Sequence, residues 1–155
     1  MFLGVIAAIA VPNLLKAKET ARLKTTKQDI ATISTALAGY VTDNGYAPAQ
    51  PGGAAGIEEI RSALTPFYVK ALPSRDAWGN EFLLFCGEAC NGWYGLRDCQ
   101  ADDFLVVSLG KGGASETWTY DPNDASAGLF VHSGFEDFEK DLVMFNGSWI
   151  RASSR

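Results

Sequence analysis

Residues 2–11 read FLGVIAAIAV, a run without a single charge. As a helix that run extends about 15 Å, roughly half of a bilayer core, so it is too short to span a membrane alone. It is equally unsuited to a water-facing surface. Such a run inserts into something, lies against a partner, or continues a longer span. No basic region precedes it and no small-residue cleavage site follows, unlike an ordinary secretory signal. Beyond Pro12 the pattern changes. Leu23, Ile30, Ile33, Leu37 and the pair Tyr40 and Val41 recur at steps of seven, three, four and three, which is one apolar stripe of an α-helix. Asp43, Asn44 and Gly45 supply a stop. The spacing predicts one helix from near residue 1 to about 43. Pro12 removes a backbone hydrogen bond and is expected to kink or locally melt it. A helix that turns from apolar all round to amphipathic lies partly outside its own domain. Lys16 opens a basic stretch suited to lipid headgroups.

The rest of the chain is punctuated at short intervals. Residues 48–56 (PAQPGGAAG) form a loop by composition. Ile57, Ile60 and Leu64 are helix-spaced, and Pro66 closes that short helix. Residues 81–85 and 103–109 read as strands, Gly110, Gly112 and Gly113 break the chain, and residues 118–120 suit a further short strand. The clearest local signal is DLVMF-NG-SWIRA at 141–152, where Asn146 and Gly147 specify a two-residue hairpin turn between apolar runs. With 155 residues and no internal repeat, the chain is expected to form one domain. The predicted class is α+β, a long amino-terminal helix packed on a small antiparallel sheet with a carboxy-terminal β-hairpin.

Charge is distributed unevenly. Residues 16–29 carry five basic groups against two acidic ones, whereas residues 98–141 carry ten acidic against two basic. A basic end and an acidic end suit head-to-tail self-association. The net charge of −5 argues against nucleic-acid binding. His132 is the only histidine, which leaves little for a multi-histidine metal site or a base–nucleophile pair. Zinc would need Cys86, Cys90, Cys99 and His132 to meet. Gly110-Lys-Gly-Gly lacks the full phosphate-loop pattern and reads as a turn. Among the aromatics, Trp78 is expected to anchor packing beneath its loop. Trp93 and Tyr94 are the expected candidates for an exposed surface that meets a partner.

Two segments carry a resemblance. AAIAVPNLLKAKETA at 7–21 is similar to the junction between membrane span and soluble helix in type IV pilins and type II secretion pseudopilins. LPSRDAWGNEFLLF at 72–85, and FLVVSLGKGG at 104–113, resemble the major-pseudopilin branch of that family. The order of helix, variable loop and small sheet also matches. The family's mature chain begins about ten residues earlier, with a basic leader, a Phe and a Glu; the expectation is that the front of the span is missing here. Lys111 stands where an acidic residue is usual, and residues 86–102 look like an insertion.

The resemblance implies a structural subunit of a filament and not an enzyme. Residues 1–12 would belong to the filament or membrane helix and 13–155 to a periplasmic or extracellular globular part. Phe2, Leu3, Val5, Ile6, Ile9, Val11 and Pro12 would form the filament core. The partners would be further copies of the chain, minor pseudopilins or pilins, and an inner-membrane assembly platform. The alternative is a surface pilin or minor pilin for adhesion, motility or DNA uptake. The family works outside the inner membrane, where disulfides persist. One disulfide is therefore expected among Cys86, Cys90 and Cys99, with Cys90–Cys99 favoured because Cys86 alternates inward with Phe82 and Leu84. The resemblance also implies calcium at Glu116, Asp121, Asn123 and Asp124, against the plainer reading of a solvated acidic loop.

Overall fold

The computed structural model describes residues 2–50, 55–124, 126–131 and 133–154, with backbone alone for residues 2–11 and 55. Helix α1 runs Phe2–Asn44. It continues unbroken through Pro12, so the expected local melting does not occur. A proline costs one i→i−4 bond, and the bonds on either side carry the helix across. Gly45 follows at φ 80° and its N–H donates to Val41 O at 2.7 Å, as an αL helix stop requires.

Strand β1 is Ala55–Gly56 and the short helix α2 is Arg61–Leu64, preceded by a 3₁₀ turn at Ile57–Glu59. The remaining strands are β2 Leu83–Cys86, β3 Phe104–Ser108, β4 Leu129–Phe130, β5 Leu142–Phe145 and β6 Ser148–Ser153. The sheet order is β1-β2-β3-β5-β6-β4. All neighbours pair antiparallel except β4, which runs parallel to β6 at the edge. The sheet is therefore mixed, not purely antiparallel. The expected strand at 118–120 does not form. It is tied to the domain by Tyr120 N donating to Tyr94 O at 2.8 Å.

Alternation divides the sheet into two faces. Leu84 faces Val106, and Val106 faces Met144. These side chains pack with Leu23, Ile30, Ile33 and Leu37 of α1, so the predicted stripe is the buried one. Phe85, Leu105, Val107, Val143 and Ile150 point the other way. They meet Cys90, Tyr94, Leu96 and Cys99 from the 86–102 segment. All five residues of β3 are buried because that strand is covered on both faces. The β5–β6 turn holds Asn146 at φ 49° and Gly147 at φ 83°, the pair of positive values that a type I′ turn needs.

Candidate functional site

Two regions stand out once the sheet is in place. The first is the root of α1. Residues 12–18 are exposed, including Leu14 at 69% and Leu15 at 50%. Glu19 is then buried. Its carboxylate accepts the Trp78 indole N–H at 2.6 Å, pairs with Arg22 at 3.2 Å and lies 4.0 Å from Lys111 Nζ. Glu19 thus marks where the helix enters the domain. Trp78 packs against the core as expected, and its N–H serves as a latch.

The chemistry of the 72–85 and 104–113 segments is one hydrogen-bonded clip. Asp76 Oδ1 accepts the N–H groups of Trp78 at 3.0 Å and Asn80 at 2.9 Å. Its Oδ2 accepts the Ser108 hydroxyl at 2.8 Å. Asn80 Nδ2 donates to Gly110 O at 2.8 Å, and Gly110 N donates to Ser108 Oγ at 3.2 Å. Gly110 sits at φ 63°, and a Cβ there would fall 2.5 Å from Lys140 O. The Ser-Leu-Gly turn and the Asp-Ala-Trp-Gly-Asn turn therefore hold each other. Gly110-Lys-Gly-Gly is a turn, as read from the sequence.

The second region is the acidic loop after β3. Glu116, Asp121 and Asp124, three of the four residues that the resemblance implies for calcium, each take a partner within the chain. Glu116 is bound bidentately by Arg151, with Nε to Oε2 at 3.0 Å and Nη2 to Oε1 at 2.9 Å. Asp121 Oδ1 accepts the Asn123 N–H at 2.8 Å. Asp124 Oδ1 accepts the Ser126 N–H at 3.1 Å and hydroxyl at 2.8 Å, and these contacts hold its carboxyl below the usual range. Each carboxylate serves a local turn or an ion pair. Among the described residues, no three His, Cys, Asp or Glu side chains group to hold a metal. His132 lies outside the described residues.

In the sequence Asp141 is an acidic residue that follows the loop and opens the hairpin segment. It is fully buried; its Oδ2 accepts the Tyr94 hydroxyl at 2.5 Å and the Glu116 N–H at 2.9 Å. Burial raises its carboxyl above the ordinary carboxylate range. Tyr94 is accordingly an interior residue, and Trp93 stacks on Phe85 with ring centroids 4.4 Å apart. The expected exposed pair is not a free surface, because the insertion must cover the second face of the sheet. No pattern in the sequence pairs Tyr94 with Asp141, 47 positions away.

The three thiols are buried and unlinked. Cys86 joins Phe82 and Leu84 in the helix-side core, as its alternation predicts. Burial pushes its thiol up to about 12. Cys90 donates to Phe85 O at 3.2 Å and shares the second core cluster with Cys99. Burial raises both of these thiols as well, the reverse of what an activated nucleophile needs.

A family model described as "Type II secretion system (T2SS), protein G" matches residues 13–122. The type II secretion system core protein G of Escherichia coli is 34% identical over 92 residues, 54% of this chain and 62% of that protein. Its namesake in Vibrio cholerae is 34% identical over 88 residues, 53% of this chain and 60% of the relative. That of Aeromonas hydrophila is 34% identical over 89 residues, 53% of this chain and 62% of the relative. The chain thus spans less than two thirds of the length of these relatives. No solved structure matches.

Proposed function

Because this chain belongs to the type II secretion system protein G family, we propose that it is the polymerising major pseudopilin subunit of a type II secretion pseudopilus. The observation that carries the reading is a helix that outruns its domain. Residues 12–18 expose every side chain, and the next position, Glu19, is buried. A charge-free run ahead of them gains about 25 cal/mol for each Å² it buries. Packing Phe2, Leu3, Val5, Ile6, Ile9, Val11 and Pro12 among neighbouring copies supplies that burial. No helix of the described residues is long and apolar enough to cross a membrane.

The place of work is the bacterial envelope, at the inner membrane and periplasm. The partners are further copies of the chain, minor pseudopilins and an inner-membrane assembly platform. The basic residues from Lys16 to Lys27 meet acidic patches of neighbouring copies and set the stagger. The cysteine-bearing insertion is the one feature that favours a surface pilin instead.

The test is electron microscopy of the chain expressed beside a type II assembly machinery. Filaments form with the native sequence and are lost in Ile9→Glu, while far-UV circular dichroism of the variant keeps its folded signature. Absence of filaments from the native chain, or their persistence in Ile9→Glu, overturns the proposal.

A further inference from the structure

We propose that Arg151, and not a bound calcium ion, is the cation that closes the acidic loop of this chain. Calcium takes six to eight oxygen ligands, and the loop's best-placed carboxylate, Glu116, is already engaged. Both Glu116 carboxylate oxygens are held by the Arg151 fork, and Oε2 also accepts the Asp141 N–H at 3.0 Å. Glu116 N donates back to Asp141 Oδ2, so the two acids are joined through each other's backbone. Asp121 and Asp124 cap their own turns in exposed positions. One buried carboxylate oxygen, Asp141 Oδ1, lacks a partner. That buried oxygen sits beside a guanidinium, and among the described residues no three acidic side chains draw together into the start of a calcium shell.

Arg151 does more than neutralise Glu116. Its side chain is 12% exposed. Nη1 reaches Gly128 O at 3.5 Å, and the guanidinium lies 5.4 Å from the Trp118 ring centroid and 5.2 Å from that of Phe130. One β6 side chain therefore ties together the acidic loop, the β4 edge and, through Asp141 and Tyr94, the 86–102 insertion. A planar fork suits a carboxylate held between aromatic faces, which a spherical ion would not. The loop is closed by a residue of the chain and does not depend on the calcium concentration around it.

The experiment is a thermal melt of the full chain in non-ionic detergent, in EDTA and then in millimolar calcium chloride. The native chain melts at the same temperature in both. Arg151→Gln lowers Tm by several degrees in both, and Glu116→Gln combined with it lowers Tm little further, because the two act as one pair. A calcium-dependent rise of several degrees in the native chain, abolished by Asp121→Asn with Asp124→Asn, overturns the proposal. So does an Arg151→Gln variant that melts like the native chain. Should Arg151→Gln fail to fold, Arg151→Lys takes its place: it keeps the charge, loses the fork, and melts lower with no response to calcium. None of these readings depends on filament assembly, so failure of the pseudopilin reading leaves them separate.

Discussion

Replacing Asp76 with alanine removes the acceptor at the centre of the clip between the two turns. Asp76 is 5% exposed, and its carboxylate accepts three hydrogen bonds, from Trp78 N, Asn80 N and Ser108 Oγ. Ser108 is itself fully buried, so its hydroxyl loses its acceptor in a place that water does not reach. Hydrogen bonds to a charged group contribute roughly 1.5–3 kcal/mol each, and a stranded buried donor costs roughly 1–3 kcal/mol. The three bonds share one carboxylate and are not additive. A loss of about 3–5 kcal/mol follows, dominated by the Ser108 end. For a domain of this size that lowers Tm by on the order of 6–20 °C. Urea unfolding followed by circular dichroism reads the same loss as a lower midpoint with unchanged slope. Asp76→Ala with Ser108→Ala should cost less than the sum of the singles, since the second change removes the stranded donor. A midpoint that moves by less than the equivalent of about 1 kcal/mol would refute the idea that this clip holds the turns.

Two further outcomes are expected. Air-oxidised chain should show one linkage between Cys90 and Cys99 by peptide mass mapping, with Cys86 left alkylatable after unfolding; replacing both partners with serine should then cost roughly 2–3 kcal/mol, the chain-entropy value for so short a loop. A mapped Cys86 linkage would count against this pairing. The Lys140 ammonium 2.7 Å away and the N–H groups of Ser133 and Gly134 hold the Asp137 carboxyl well below the usual carboxylate range. A depressed folded-state value means stability that is complete above the unfolded value near 4 and is lost as pH falls beneath it. Asp137→Asn should therefore lower stability at neutral pH and flatten the acid limb of the Tm–pH curve; an acid limb as steep as the native one would contradict this.

The parts legible in the sequence share one property, which is that their signals are local. The stripe from Leu23 to Leu37 announces both the helix and its buried face, because 3.6-residue periodicity is written within a few turns. Asn146-Gly147 announces the hairpin because a type I′ turn needs two positive φ values side by side. The inward alternation of Cys86 with Phe82 and Leu84 is likewise a strand property. Where the reading failed, a distant partner decided. Trp93 and Tyr94 lie in a polar, glycine-flanked stretch that reads as surface, yet they cover Phe85 and reach Asp141. The pairing of Glu116 with Arg151, 35 positions away, is likewise invisible along the chain.

The amino-acid order alone therefore determined a long helix with an uncovered front, a small sheet ending in a hairpin, and a membership that two short motifs betray. Tertiary structure decided what those motifs are for. Glu19 meets Trp78 across 59 positions, Asp76 meets Ser108 across 32, and Glu116 meets Arg151 across 35. Tertiary structure also placed β4 parallel to β6 at the edge, against the antiparallel expectation. The reason is physical: a carboxylate's partner is chosen by which side chains the packed sheet brings within 3 Å, and that choice belongs to closure of the whole chain, not to the residues on either side of it.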